Sequence, residues 1–321
     1  MSGIKLPSGQ EKLKRFFYDL KKDNRFLSSY IFEGESGAGK ETMAKYFAAH
    51  IMCDKNPPCL NCNACRTIYA GTNPDVVTVS NEDKSEISAA KIRELVSDAF
   101  IRPQNSDKKI FIIKNAHLMN ETAQNSLLKV IEEPPEYAVF ILLCENRNKI
   151  LPTILSRCTL VLIPPISKEE LFSAFGNKNE FLASYSMGNP GRYLSLLEDN
   201  EFLSLRMEFF EKITSLIQNE RASIYVLCDF FEKNKDKKEQ LLEMLILFFG
   251  DVLLIKNFMS SNIINSDRKE ILQKFADKTT KASLLDALEC VSDIQREMGK
   301  YGAYSVYVNA MFIKLWEEIN G

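Results

Sequence analysis

Gly34-Glu35-Ser36-Gly37-Ala38-Gly39-Lys40 lies between a short apolar run at residues 30–32 and a helical pattern that begins near Lys40. Glycines let backbone N–H groups approach a phosphate, a helix N-terminus favours anions, and the lysine can reach the terminal phosphates. The stretch therefore predicts a phosphate-binding loop that joins a strand to a helix. The candidate nucleotide-binding residues are Gly34, Gly37, Gly39, Lys40 and Thr42.

Short apolar segments alternate with helical patterns over the first half of the chain. They lie at residues 30–32, 76–79, 110–113, 139–143 and 160–163. Runs this apolar are typical of strands that are buried on both faces, as in a parallel sheet covered by helices. The pattern predicts an α/β domain over residues 1–165, a small helical domain over 166–212 that opens with a capping box at Ser167, and an all-helical domain over 213–321.

Composition limits the class of protein. The chain has 321 residues, of which 45% are hydrophobic and 26% charged, and a formal net charge of −2. This balance gives no overall attraction to nucleic acid, so any contact with DNA must be local or made by partners. No uncharged apolar stretch approaches the roughly 18 residues of a membrane helix. We expect a cytoplasmic protein with no membrane contact.

Four of the eight cysteines lie in one polar segment. They are Cys53, Cys59, Cys62 and Cys65, with gaps of five, two and two residues. Closely spaced thiolates suit tetrahedral zinc, and the set contains no histidine or carboxylate of the kind that opens a catalytic site. The alternative is a group of buried free cysteines, against which the polar surroundings speak. The spacing predicts a closed, structural zinc knuckle.

The phosphate-binding loop departs from that of a hydrolase in two places. Glu41 follows Lys40 where a Ser or Thr hydroxyl would bind magnesium. After the strand at residues 110–113, Asn115 and Ala116 stand where an ATPase carries one acid for the metal shell and another to orient the attacking water. These changes predict that the chain does not hydrolyse ATP. Nucleotide binding without hydrolysis, and an empty loop kept only for structure, are the two alternatives for the loop.

Two further stretches give the chain its resemblance. Residues 125–135 read NSLLKVIEEPP and residues 151–158 read LPTILSRC. With the loop and the knuckle they resemble the bacterial DNA polymerase III clamp loader, and its delta-prime subunits in particular. The resemblance implies an AAA+ type P-loop α/β domain with a parallel sheet and an inserted zinc knuckle, a small helical lid domain and an all-α collar domain.

The resemblance also implies an activity and partners. Such subunits belong to the DNA-directed DNA polymerase holoenzyme and help to load the sliding clamp onto primed DNA at the expense of ATP. The implied partners are ATPase subunits of the gamma/tau type and the delta subunit, with the sliding clamp and primer-template DNA contacted through the complex.

Arg157 is the catalytic residue that the resemblance assigns. In that family the arginine of the Ser-Arg-Cys element acts in trans on the ATP of a neighbouring subunit, where a guanidinium stabilises developing charge. The alternative is an arginine that caps or pairs locally at a strand entrance. Three other family positions have lost their usual residues, since Cys144 and Glu145 stand where polar threonines are expected and Gly191 aligns best with an arginine, with Arg192 one place late.

These departures favour a non-hydrolysing clamp-loader subunit without ATPase activity of its own. The alternative is an ATP-hydrolysing motor of the same fold, of the gamma or tau type. A repair or recombination AAA+ protein is a third hypothesis.

Overall fold

The fold is described from a computed structural model, which describes residues 7, 9–81, 86–218, 222–259, 262–297 and 304–320. Contacts divide the chain into two units. The first contains the described residues up to Asn177 together with Gly188–Arg192, and the second contains Lys178–Met187 and the described residues from Tyr193 onward. The predicted boundaries at residues 165 and 212 stay a prediction.

The first unit is built on a parallel sheet whose strands lie in the order β2-β3-β4-β1-β5. The strands are β1 (Ser29–Glu33), β2 (Val76–Val79), β3 (Lys109–Ile113), β4 (Ala138–Cys144) and β5 (Thr159–Leu162). All five predicted strands are confirmed. Since β1 lies between β4 and β5, the loop that leaves β1 emerges beside the carboxyl end of β4.

Helices cover the sheet. Those of the first unit are α1 (Glu11–Lys22), α2 (Lys40–Met52), α3 (Asn63–Ala70), α4 (Ala89–Ala99), α5 (Glu121–Glu132), α6 (Pro152–Leu155) and α7 (Lys168–Phe175). Successive residues of a strand point to opposite faces. Accordingly Tyr30 and Phe32 join one buried apolar cluster while Ile31 joins another. Burial on both faces explains why β1, β3 and β4 are continuously apolar, whereas the edge strands β2 and β5 are only partly buried.

Side-chain caps fix where several of these helices begin. Asn120 accepts a hydrogen bond of 2.8 Å from the backbone N–H of Ala123 at the start of α5. At α7, Ser167 accepts from the N–H of Glu170, whose carboxylate accepts from the N–H of Ser167. This reciprocal pair is the predicted capping box.

The second unit is helical. Its helices are α8 (Glu180–Tyr185), α10 (Asn200–Thr214), α11 (Ala222–Lys233), α12 (Lys238–Lys256), α13 (Lys269–Lys278), α14 (Lys281–Glu297) and α15 (Tyr304–Asn320), while α9 (Pro190–Glu198) runs from the first unit into the second. Helix α12 packs against α13 and α14, and α15 packs against α11 and α14. The apolar stripe of α15 is buried at Val308, Met311, Phe312 and Leu315.

A buried polar network fixes one part of the second unit. Asp251 accepts hydrogen bonds of 2.8 Å from the N–H groups of Ile264 and Asn265. The buried Arg206 donates to Asn265 and makes two hydrogen bonds, of 2.9 and 2.7 Å, to Asp267. Its guanidinium also lies 3.4 Å from the ring centre of Phe181. Because each charge has partners, the network holds α10, α12 and the loop before α13 together.

Candidate functional site

The predicted knuckle brings its four cysteines together. The sulfur atoms of Cys53, Cys59, Cys62 and Cys65 all lie within 4.8 Å of one another. Cys53 Sγ is 3.6 Å from Cys59 Sγ and 3.8 Å from Cys62 Sγ. Four sulfurs bound about 2.3 Å from one zinc would stand about 3.8 Å apart, so the spacing fits a tetrahedral thiolate site. The four side chains can hold a metal ion.

Backbone groups also favour thiolates in the knuckle. The N–H groups of Cys59, Cys62 and Cys65 point at the sulfurs of Cys53, Cys59 and Cys62, at 3.4, 3.3 and 3.4 Å. Hydrogen bonds from the backbone of Asn61 and Cys62 lower the pKa of Cys59 to about 6. Lys21 of α1 donates to the carbonyl oxygen of Cys53 and so brings a positive charge next to the thiolates.

The phosphate-binding loop has the expected path. It follows β1 and ends where α2 begins at Lys40. Gly37 and Gly39 have φ angles of 82° and 88°, which side-chain-bearing residues rarely adopt. Gly34, Gly37, Gly39, Lys40 and Thr42 therefore form one loop and one helical turn, as predicted. Whether this loop binds nucleotide stays a prediction.

Lys40 is engaged by its own loop. Its buried ammonium donates to the carbonyl oxygens of Gly34 and Glu35, both at 2.7 Å. Glu145, which follows β4, approaches it to 4.0 Å and lies 3.9 Å from His117. Burial lowers the pKa of Lys40, while Glu145 opposes that shift. Lys40, which would bind the terminal phosphates of a nucleotide, therefore already makes hydrogen bonds within its own loop.

The residue that faces the loop from β3 is Lys114, one position before the pair singled out from the sequence. Its Nζ lies 2.6 Å from Glu41 Oε2, and Lys45 lies 3.2 Å from Glu41 Oε1. Ala116 is buried in the turn after β3, and Asn115 has a φ angle of 51°. The assignment of the metal-facing position to Asn115 and Ala116 is therefore corrected to Lys114.

Gly191 lies directly against the phosphate-binding loop. Its N–H donates to the carbonyl oxygen of Gly37 at 2.9 Å, and Asn189 Nδ2 donates to that of Ser36 at 2.7 Å. A Cβ at Gly191 would lie 2.7 Å from Gly37 Cα. This close backbone approach requires glycine, so an arginine cannot occupy position 191 in this arrangement.

Arg157 lies on the surface between α6 and β5. Its side chain is 41% exposed, and its guanidinium pairs with Glu132 at 2.9 Å and donates to the carbonyl oxygen of Thr153 at 2.9 Å. The local pairing that the sequence allows as the alternative is therefore present. An exposed pair of this kind is weak, typically worth up to about 1 kcal/mol, so the guanidinium can leave it for another anion.

Comparison with known proteins gives the family. A family model described as "DNA polymerase III, delta subunit" matches residues 9–167, and one described as "DNA polymerase III, delta subunit, C terminal" matches residues 200–301. Together they span most of both units. The chain belongs to the DNA polymerase III delta subunit family.

Relatives described as delta-prime subunits and relatives described as gamma/tau subunits are both similar to most of this chain. DNA polymerase III subunit delta-prime of Bacillus subtilis (strain 168) is 27% identical over 300 residues, which is 90% of this chain and 91% of that protein. The gamma/tau subunit of Mycoplasma genitalium is 28% identical over 314 residues, 88% of this chain but 52% of that protein. Identity alone therefore does not separate a delta-prime role from a gamma/tau role.

One solved structure covers nearly the whole chain. A DNA polymerase III gamma subunit-related protein from Thermotoga maritima MSB8 matches 96% of this chain and 98% of its own, with 17% identity and a TM-score of 0.49.

None of the helices within the described residues combines the length and apolar character needed to cross a membrane.

Sequence reasoning identified the loop, the knuckle and Arg157 in this delta-family chain but missed their partners. Lys114 directly precedes the Asn115-Ala116 pair to which the sequence assigned the metal-facing position, and Glu132 lies within the stretch at residues 125–135. The sequence does contain a signal for Lys114. Lys114 and Glu41 carry opposite charges and occupy the two positions that share a metal ion in a P-loop NTPase. No sequence signal pairs Glu132 with Arg157.

Proposed function

We propose that this chain is a non-hydrolysing subunit of a cytoplasmic DNA polymerase III clamp loader, which supplies Arg157 in trans to ATP on a neighbouring ATPase subunit. The observation that carries the proposal is the contrast between an exposed guanidinium at Arg157 and a phosphate-binding loop whose metal-facing side chains are Glu41 and Lys114. The proposed partners are gamma/tau type and delta subunits, with the clamp and primed DNA reached through the complex.

The loop's own chemistry supports the absence of hydrolysis. Phosphoryl transfer relies on a divalent cation to neutralise charge and on a residue that orients water. Glu41 replaces the hydroxyl ligand, and Lys114 replaces the acid that faces it from β3. Glu145 is held near Lys40 and His117. The same residues argue against the alternative of an ATP-hydrolysing motor of the gamma/tau type.

Arg157 has the properties that a trans arginine needs. Its planar guanidinium is always charged and can bind two phosphoryl oxygens at once. Glu132 and the carbonyl oxygen of Thr153 orient it at the surface without burying it. Since an exposed ion pair costs little to break, a phosphoryl oxygen of a neighbour can displace Glu132.

The remaining parts have structural roles in this proposal. The knuckle of Cys53, Cys59, Cys62 and Cys65 holds one Zn²⁺, because four close sulfurs suit that ion and not one that prefers oxygen. Residues 166–212 form the lid domain, and residues 213–321 form the collar through which subunits assemble. The buried stripe of α15 stabilises the helical unit itself.

The decisive experiment compares Arg157→Ala with Lys40→Ala in the reconstituted clamp loader. We expect Arg157→Ala to reduce clamp loading and DNA-stimulated ATPase while assembly and zinc content stay unchanged. Loss of such an arginine costs about 10³-fold or more at the site it serves, although other ATP sites in the complex dilute the effect. Lys40→Ala should have a far smaller effect.

The opposite pattern would overturn the proposal. If Arg157→Ala loaded clamps normally and Lys40→Ala failed, this chain's own nucleotide site would be the active one. ATP turnover by the isolated chain that disappeared in Lys40→Ala would lead to the same conclusion.

A further inference from the structure

The ion pair between Glu41 and Lys114 lies where a P-loop NTPase holds its metal. In such enzymes Mg²⁺ is bound by the hydroxyl that follows the loop lysine and by an acid at the end of a neighbouring strand. Glu41 follows Lys40, and Lys114 directly follows β3. Lys114 Nζ and Glu41 Oε2 are 2.6 Å apart. The two positions are therefore joined directly, with no space for an ion between them.

The charges at this point do not suit a divalent cation. Mg²⁺ requires near-octahedral oxygen ligands at about 2.0–2.1 Å and usually keeps several waters. Here one ligand position carries an ammonium, which repels a second cation. Burial acts to raise the pKa of Glu41, but the ion pairs with Lys114 and Lys45 outweigh it and hold the pKa below the ordinary value. The carboxylate is charged at neutral pH and already neutralised.

Other acidic groups do not supply a replacement site. Glu145 approaches Lys40 and His117 and not the Glu41 pair, within the contacts that the structure gives it. Among the described residues, the group of three or more metal-binding side chains that lies close enough to share an ion is the cysteine knuckle. The residues at the loop thus do not fit Mg²⁺.

We propose that the Lys114 ammonium replaces the divalent cation of the phosphate-binding loop, so that this subunit excludes Mg²⁺ from that site. The proposal deepens the proposed function, on which it rests, by giving the physical cause of the missing hydrolysis. A fixed ammonium can attract a phosphate, but it cannot bind and activate a water as a metal does. Restoring ligands at both positions should therefore restore a metal site.

The test measures Mn²⁺, a paramagnetic substitute for Mg²⁺, by electron paramagnetic resonance on the full-length, zinc-loaded chain with ATP. The proteins are wild type, the double variant Glu41→Thr/Lys114→Asp, and the control Lys45→Met. This control removes the other partner of Glu41, which lies on α2 itself at i+4. Thiolates are poor ligands for Mn²⁺, so the knuckle does not compete.

We expect no ATP-dependent Mn²⁺ site in wild type or Lys45→Met, and one such site in the double variant. Loss of even an outer partner of a metal ligand changes metal affinity by about 10- to 100-fold, so restored ligands should strengthen Mn²⁺ binding at least about tenfold. A wild-type Mn²⁺ site that Glu41→Gln abolishes would overturn the proposal. So would a double variant that keeps its circular dichroism and zinc but gains no site.

The experiment uses no ATPase partner, so its outcome is independent of Arg157. A failure here would leave the trans role of Arg157 standing, whereas normal clamp loading by Arg157→Ala would remove that role without affecting the metal result.

Discussion

Helix α2 joins two sites of opposite character. At its first residue, Lys40, it carries a phosphate-binding loop whose metal-facing side chains have become an internal ion pair. At its C-cap, Cys53, it begins a set of four sulfurs spaced for one metal ion. The backbone is well formed at both ends. The comparison teaches that the shape of a phosphate-binding loop and its metal binding have separate requirements, because shape depends on glycines and packing while metal binding depends on each ligand.

The largest expected effect lies at the C-terminal end of α2. Cys59→Ser should remove the bound zinc and destabilise the segment from Cys53 to Cys65, since structural zinc contributes on the order of 10 kcal/mol of binding free energy to small sites of this kind. Metal analysis should give about one zinc per wild-type chain and little in the variant. Cys228→Ser is the matched control, because Cys228 lies in α11 outside the cluster. Full zinc occupancy in Cys59→Ser would show that the four sulfurs do not act together.

The second prediction tests whether Arg157 needs its planar guanidinium and not only its positive charge. Arg157→Lys keeps the charge but loses the planar fork, so it should reduce DNA-stimulated ATPase of the complex nearly as much as alanine does, by about 10³-fold at the affected site. Arg25→Lys is a matched control, since Arg25 is an exposed arginine of the same unit beside Asp23. If lysine restored full activity at position 157, the residue would act only as a point charge.

The elements of this molecule follow from local sequence patterns, whereas its site chemistry does not. The glycine-rich loop, the five strands and the capping box at Ser167 each depend on neighbouring residues, so the sequence predicts them. The pairs Glu41 with Lys114 and Arg157 with Glu132 join segments that are distant along the chain. Their contacts depend on the strand order, and the one-residue error at Asn115 arose because the sequence does not show which side chain at the end of β3 faces the loop.

The third prediction tests the contact at the N-terminal end of α2. Gly191→Ala should destabilise the chain by about 1–3 kcal/mol, because its Cβ would meet the backbone of Gly37 at 2.7 Å. Gly250→Ala is the matched control, since Gly250 lies inside α12 and an added Cβ there would have nothing within 4 Å. That change should be neutral or slightly stabilising. Equal effects of the two substitutions on urea unfolding would mean that the Gly37–Gly191 contact does not form.

The smallest expected effect is the stability contributed by the ion pair that closes the metal position. Glu41 has a lowered pKa because its pairs with Lys114 and Lys45 outweigh burial. A depressed carboxyl pKa stabilises the fold above the unfolded value of 4.5, and this contribution disappears as the pH falls through the folded value. Since the side chain of Glu41 is 42% exposed, solvent screening limits the contribution to less than about 1 kcal/mol. Glu41→Gln should therefore unfold slightly earlier in urea than wild type at pH 7, and the difference should shrink as the pH falls below 4.5. A difference that did not shrink with falling pH would assign the effect to packing, and the same end of α2 would then be held by shape and not by charge.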